Sequence, residues 1–285
     1  HVNRYEAKTI YLPNSVRPRY WTLDEVREHQ KFVSRARHLG IDYDFYTDEE
    51  INLIKDIVKK KVKKNEKVLF LFGYDGTILK NLVDVLNENQ IIDCELGEEG
   101  VQFVSYKTNK PKYVVFKDKN LKEEEVDLVI VPFALEKIPD MNVILNEANR
   151  VLKKDGRIII FLKNKISFYG LMYFAINKLL GVNRLEGFYI RSGPFEPISI
   201  FKLRKNLKKN NFQVNESKGM FFLPAEISIY LDRLDGYLKR HGKKLTFLKY
   251  LMKPALVIAL YLFKLTKWIK TSSFGSSVYV VGSKR

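Results

Sequence analysis

The chain has 285 residues, of which 46% are hydrophobic, so it can bury a sizeable core and is not expected to be disordered. Its one cysteine excludes disulfides and cysteine-rich metal sites, and its four histidines lack ligand spacing, so we expect no metal and a reducing, cytoplasmic setting. The net charge is +17, and all of the excess lies in residues 161–285, which hold 23 basic and 6 acidic residues, an asymmetry typical of proteins with an anionic partner.

The N-terminal part predicts an arm and two helices. Residues 1–21 show no clear period. A capping box that begins at Thr22 predicts a helix over Leu23–His38, and a second box at Thr47 opens a helix that ends near Lys63. We therefore expect an arm and helix over residues 1–46, followed by one domain over residues 47–285.

Apolar runs then alternate with helical segments. The runs predict five strands, namely Lys67–Phe72, Ile91–Leu96, Lys112–Phe116, Val126–Pro132 and Arg157–Leu162. The segments between them predict three helices, Thr77–Asn89, Glu98–Lys107 and Met141–Leu152. Such alternation indicates βαβ crossovers and a parallel sheet, whose ligands bind at the carboxyl ends of the strands.

The C-terminal part completes the sheet and adds helices. We predict a crossover helix over Ile198–Asn210, a sixth strand over Phe212–Phe222 and a terminal seventh strand over Ser277–Gly282. Helical additions are expected at about residues 163–197 and 224–272.

One stretch in the second addition, residues 245–270, carries lysines beside a broad apolar surface. It can lie in an anionic membrane interface or pack as a cap over the cleft. Its longest apolar run, Pro254–Phe263, is too short to cross a bilayer, which needs about 20 residues.

A glycine-containing turn follows the first strand. In Val68–Leu82, the tripeptide Asp75-Gly76-Thr77 matches the end of the glycine-rich motif of class I S-adenosylmethionine (SAM)-dependent methyltransferases. The chain resembles this family, especially its small-molecule, type 11 branch. The start of the motif differs, since Phe70 replaces an acid, Phe72 and Tyr74 replace glycines, and Gly73 is displaced by one position.

Two acidic residues follow the next two strands. Glu95 lies 19 residues after Gly76, and the resemblance implies that it accepts hydrogen bonds from the ribose of SAM. Asp118 follows the third strand, where the family places an acid that contacts the adenine amino group. The alternative interpretation is that neither acid binds a cofactor, so that Glu95 is a solvated acid at the end of a strand and Asp118 is a loop aspartate.

The longest resemblance spans the fourth and fifth strands. Val126–Asp140 and Asn146–Phe161 follow the family pattern over about 35 residues, with Lys137 in place of the usual histidine. Asp155-Gly156 is expected to make the tight turn into the fifth strand. Most of these residues specify architecture.

The resemblance implies an α/β, Rossmann-like, doubly wound sheet of seven strands, mostly parallel, with an antiparallel last strand. It implies SAM as cofactor, held by Phe72, Gly73, Tyr74, Asp75, Gly76, Glu95, Leu96, Asp118, Lys119, Pro132 and Phe133. Candidate substrate-pocket residues are Lys137, Tyr169, Tyr189 and Arg191. No catalytic residue is assigned, because the cofactor supplies the electrophile.

Three functions remain open. The first is methyl transfer to a small-molecule or lipid-like acceptor, in the cytoplasm or at a membrane surface. The second is an inactive binding or scaffold protein in which Phe72 and Tyr74 fill the methionine space. The third is an RNA-directed methyltransferase that uses the basic C-terminal part.

Base amino-methylation is disfavoured because Val131–Ala134 lacks the Asn/Asp-Pro-Pro-Tyr/Phe motif. Cysteine-dependent methylation of pyrimidines is disfavoured because Cys94 lies within the second strand.

Overall fold

The elements of the chain alternate between strand and helix. A computed structural model describes residues 48–73, 76–95, 110–116, 121–137, 140–167, 198–220 and 273–285, with residues 101, 105 and 108. The helices of this part are α1 (Asp48–Lys61), α2 (Thr77–Leu82), α3 (Met141–Val151) and α4 (Ile200–Lys209), with a 3₁₀ turn at Leu135–Lys137. The strands are β1 (Lys67–Leu71), β2 (Gln90–Glu95), β3 (Lys112–Val115), β4 (Val126–Pro132), β5 (Leu152–Lys163), β6 (Phe212–Gly219) and β7 (Ser277–Lys284).

The seven strands form one sheet in the order β3-β2-β1-β4-β5-β7-β6. The first five run parallel, whereas β7 is antiparallel to both β5 and β6. The predicted fold class, including the antiparallel last strand, is confirmed. The strand order reverses between β1 and β4, and this switch point is where sheets of this kind bind ligands.

Helices cover both faces of the sheet. Along β1, Leu69 and Leu71 point into a core shared with α3 and α4, whereas Val68 and Phe70 point into a core shared with α1 and α2. Both sets are fully buried, which explains why this strand has an almost unbroken apolar sequence.

Most elements differ from their predicted bounds by one to three residues, and two differ by more. Strand β5 begins at Leu152, and Asp155-Gly156 lies in a bulge within it instead of a turn before it, since the β5 partners of Val126 and Leu128 are Leu152 and Arg157. Helix α2 ends at Leu82 and continues to residue 89 as hydrogen-bonded turns.

Several predictions concern residues outside the described part. These are the arm and helix over residues 1–46, the cap residue Thr47, most of the helix over Glu98–Lys107, and most of the additions at about residues 163–197 and 224–272. Among the helices that are described, none is long and apolar enough to cross a membrane.

The β5 bulge predicts opposite effects at two adjacent residues. A Cβ on Gly156 would lie 2.8 Å from the carbonyl oxygen of Lys153, so we expect Gly156→Ala to lower the free energy of unfolding by about 1–3 kcal/mol. Asp155 already has a left-handed backbone, with φ of 64°, so Asp155→Gly should leave stability unchanged or raise it. Urea unfolding of both variants checks this, and equal stabilities would contradict the bulge geometry.

Candidate functional site

A tight turn follows β1 at the switch point. The backbone N–H of Gly76 donates to the carbonyl of Gly73 at 2.9 Å, and that of Lys80 donates to the carbonyl of Gly76 at 2.8 Å as α2 begins. Gly76 caps the helix with φ of 68°, which favours glycine. The turn therefore places two glycines, Gly73 and Gly76, whose backbone no side chain covers, at the carboxyl edge of the sheet.

Each of the two strands at the switch point, β1 and β4, is followed directly by a phenylalanine with left-handed backbone. Phe72, after β1, has φ of 63°, and Phe133, after β4, has φ of 52°. Their N–H groups donate to the carbonyls of Cys94 and Phe161, each at 2.9 Å, which holds both residues in place. Left-handed backbone in aromatic residues is uncommon and concentrates at functional sites.

The side chain of Phe72 points into the protein. It is 2% exposed, and its ring lies 5.5 Å from that of Phe116 in the core shared with α3 and α4. The positive φ gives a physical reason for the glycine that the family usually has at this position. Burial of the ring offsets the backbone strain here.

Two carboxyl groups lie directly against Gly73. Asp93 and Glu95 are alternate residues of β2, so both point to the face that carries α1 and α2, and both are fully buried. A Cβ built on Gly73 would lie 3.0 Å from Oδ1 of Asp93 and 3.2 Å from Oε1 of Glu95. A larger residue at position 73 would therefore crowd this pair.

Burial of the two carboxyl groups side by side favours a bound proton on the pair. Among the described residues, no N–H or O–H group donates to either oxygen of Asp93, and the Glu95 carboxyl lies beside it against Gly73. Two carboxyl groups can share a hydrogen bond only when one of them is protonated. Burial raises the pKa of Asp93 to about 8, although its hydrogen bond with Glu95 acts to lower it.

A second buried polar cluster lies on the same face, at the ends of β5 and β7. Nζ of Lys163 lies 2.9 Å from Oε1 of Glu50 and 3.0 Å from Oγ of Ser277, which itself donates to Oε1 of Glu50 at 2.7 Å. Nζ of Lys163 also lies 5.2 Å from the ring centroid of Phe133. The cluster thus connects α1 to the two strands beside the end of β4.

Two further hydrogen bonds hold the chain around this cluster. The buried carboxylate of Glu136 accepts a hydrogen bond from the backbone N–H of Lys163. The side-chain amide of Asn164 donates to the carbonyls of Ser273 and Gly275, at 2.9 and 3.1 Å, where the chain enters β7. The carboxyl ends of β4 and β5 and the start of β7 are therefore fixed relative to one another.

The structure brings together part of the predicted cofactor site. Phe72, Gly73, Gly76 and Glu95 meet at the ends of β1 and β2, Pro132 and Phe133 end β4, and Lys137 lies in the 3₁₀ turn that follows. The other predicted site residues lie outside the described part, namely Tyr74, Asp75, Leu96, Asp118, Lys119, Tyr169, Tyr189 and Arg191.

Sequence reasoning missed four residues of the site, which are Asp93, Glu50, Lys163 and Ser277. Asp93 had a usable signal, because it interrupts an apolar run two residues before Glu95 and so must share its face. In the described residues, no group of histidine, cysteine and acidic side chains is arranged to hold a metal ion.

The sequence match to a known family decides the identity of the central segment. Residues 72–160, from the turn after β1 into β5, match the family described as "Methyltransferase domain". This central segment is therefore similar in sequence to a methyltransferase domain. No curated protein matches the chain in sequence.

Solved structures agree with this methyltransferase domain in fold. A SAM-dependent methyltransferase of Thermotoga maritima, described as a possible histamine N-methyltransferase, is 14% identical with a TM-score of 0.51, covering 91% of this chain and 96% of its own. Phosphoethanolamine N-methyltransferase 2 of Haemonchus contortus, in complex with phosphomonomethylethanolamine and S-adenosylhomocysteine, is 14% identical with a TM-score of 0.53, covering 92% and 59%. The [4+2]-cyclase SpnF is 12% identical with a TM-score of 0.52, covering 93% and 97%. The likeness confirms the class I methyltransferase fold that the sequence resemblance implies.

The buried ion pair of the methyltransferase domain can be tested by a double-mutant cycle. Lys163→Met leaves the carboxylate of Glu50 buried without its cation, so we expect a loss of about 3–5 kcal/mol in the free energy of unfolding. Adding Glu50→Gln should restore part of that loss, because the uncompensated charge is then gone. Additive losses in urea unfolding would show that the two groups are not coupled.

The proton on Asp93 predicts a pH dependence of stability. Between its ordinary value of 3.8 and about 8, the unfolded state has lost this proton and the folded state still holds it. Stability should therefore fall as pH rises across this range, by at most about 1.4 kcal/mol per pH unit, and level off above it. Asp93→Asn removes the slope, so the free energy of unfolding of the variant minus that of the wild type should grow from pH 5 to 8. A constant difference would mean that Asp93 is ionised.

Proposed function

We propose that the protein transfers a methyl group from SAM to a small-molecule or lipid-like acceptor. One observation carries the proposal. A Cβ built on Gly73, in the turn after β1, would lie 3.2 Å from Oε1 of Glu95, so the turn and this carboxyl group are neighbours at the switch point of the sheet. Carboxylate acceptors beside bare backbone at a helix N-terminus suit a ligand that has a hydroxylated ribose at one end and an amino acid at the other.

The residues at the edge fit SAM in the following way. Glu95 would accept hydrogen bonds from the ribose hydroxyls, and the turn Gly73–Gly76 would let the methionine part approach the backbone. Pro132 and Phe133 would flank the cofactor from the end of β4. Asp118 and Lys119 would contact the adenine, as the family resemblance implies, and Leu96 would also contact the cofactor.

Bound SAM would supply an electrophilic methyl carbon on its sulfonium, which an acceptor atom attacks in line. The work of the protein is then to align the acceptor and to exclude water. The rigid frame at the ends of β4 and β5 suits this task, because hydrogen bonds through Glu136, Lys163 and Asn164 hold it. Lys137, in the turn after β4, together with Tyr169, Tyr189 and Arg191, would contact the acceptor.

The basic surface of α4 supports an acceptor or membrane surface with negative charge. This helix has no acidic residue, and its exposed side includes Phe201 and four lysines, Lys202, Lys205, Lys208 and Lys209. Exposed aromatic and basic side chains together suit an anionic lipid interface. We propose that residues 245–270 add to this surface, so that the enzyme works in the cytoplasm and docks peripherally on membranes.

The fold alone does not determine the reaction, since one structure of the same fold is a [4+2]-cyclase. An inactive scaffold is the second candidate, and it was suggested by the bulky Phe72. The inward orientation of that ring favours the active candidate, because the ring packs on Phe116 and is taken up by the core.

Calorimetry with S-adenosylhomocysteine (SAH) tests cofactor binding. We expect the wild type to bind SAH, and Glu95→Gln to weaken binding by about 10- to 100-fold, because an amide cannot replace a charged acceptor worth about 1.5–3 kcal/mol. Glu147→Gln is the matched control. It makes the same chemical change on α3, where Glu147 pairs with Arg150, and should leave the affinity unchanged.

Failure of the wild type to bind millimolar SAH would overturn the proposal. Transfer from labelled SAM then identifies the acceptor class. Label in organic-solvent extracts of anionic vesicles supports a lipid-like acceptor, label in water-soluble metabolites supports a small molecule, and label in RNA would contradict both.

A further inference from the structure

The buried carboxyl pair has a property that a ribose contact alone does not require. A single carboxylate would suffice to accept hydrogen bonds from two hydroxyl groups. Here Asp93 lies beside Glu95 on the same face, is fully buried, and has no N–H or O–H donor among the described residues. An ionised carboxyl group is strongly disfavoured in such a position.

We propose that Asp93 is a positioning residue that shares one proton with Glu95 in a hydrogen bond within the buried pair, so that cofactor binding depends on this proton. The inference rests on the proposed function and concerns the regulation of the same site. The donated hydrogen bond fixes the rotamer of Glu95 and leaves one negative charge on the pair. Gly73 then lies against a pair of defined geometry.

Within the described part of the chain, the titratable groups on the elements around the pair are as follows. From β3, Tyr113 lies opposite Asp93, and its pKa is raised by its own burial and by the charges of Asp93 and Glu95. From β1, the neighbours are Phe70 and Gly73, which do not titrate. The one ionisable residue of α2, Lys80, is exposed.

Cys94 points to the opposite face, toward Glu147 and Arg150 of α3, and burial raises the pKa of its thiol. Asp93 is therefore the group of this set that ionises at mildly alkaline pH.

Loss of the proton should weaken cofactor binding. When Asp93 gives its proton to solvent, two carboxylates with Cβ atoms on one strand face repel each other in a buried site. The hydrogen bond between the two groups is lost, and the repulsion moves both groups away from the turn at Gly73. Because the bound form needs the proton, the dissociation constant for SAH should rise by up to about tenfold per pH unit once the free pair ionises.

The experiment measures SAH binding by calorimetry from pH 6.5 to 9.5 on three full-length proteins. The wild type should lose affinity above about pH 8. Asp93→Asn keeps a donor to Glu95 that cannot titrate, so its affinity, whatever its value at pH 7, should stay constant from pH 7 to pH 9.5. Asp84→Asn makes the same chemical change at an exposed side chain and should keep the wild-type profile. Titration of SAH itself affects all three proteins alike.

A second measurement needs no variant. Binding enthalpies of the wild type in two buffers of different ionisation enthalpy give the protons taken up with SAH, which should approach one at pH 9 and zero at pH 6.5.

Constant wild-type affinity, no proton uptake, or the same alkaline loss in Asp93→Asn would overturn the inference and leave the proposed function intact. Absence of SAH binding at every pH would overturn both.

Discussion

Hydrogen bonding of β1 to β2 on one side and to β4 on the other is the constraint on which the candidate site depends. Parallel strands in register end at one edge, so the residues that follow β1 and β4 must meet the last residues of β2 and β5 there. The bonds from Phe72 to the carbonyl of Cys94 and from Phe133 to that of Phe161 extend the pairing beyond the strands. They are what holds Gly73 against the carboxyl pair and the Phe133 ring beside Lys163.

At this edge, side-chain packing overrides the backbone preference of individual residues. A left-handed phenylalanine costs about 1–2 kcal/mol relative to ordinary backbone, and the edge contains two of them. The family solves the same geometry with glycine after β1. Here the Phe72 ring is buried against Phe116, and the strain is offset by apolar surface removed from water.

Sequence patterns predicted the strands well because each is a short apolar run, and they predicted the order of elements because βαβ crossovers leave few arrangements. The β5 bulge was not predicted, because the dipeptide Asp155-Gly156 is equally compatible with a tight turn and with a β-bulge. The position of Asp93 beside Glu95 could have been predicted, because residues two apart on a strand point to the same face. The pairing of Glu50 with Lys163 could not, because 113 residues separate them and only the completed sheet, with α1 on its face, brings them together.

The residues that identify the family and the residues that would select the acceptor lie in different places. Asp127 binds the backbone N–H of Lys67 at the opposite edge of the sheet, and Arg150 ties α3 to the carbonyl of Leu121. Such contacts specify the fold and do not touch the substrate.

At the carboxyl edge, the Asp93–Glu95 pair and the Lys163 cluster lie on the same face of the sheet. They are three strands apart, which is roughly 14 Å at the usual strand spacing. Under the proposed function, SAM places its ribose at the pair and extends over β1 and β4, so the acceptor must approach from the side of β4 and β5. That side is bounded by Phe133 and by the buried Lys163, whose charge is balanced by Glu50. The basic C-terminal part of the chain begins at the end of β5, the strand that carries Lys163.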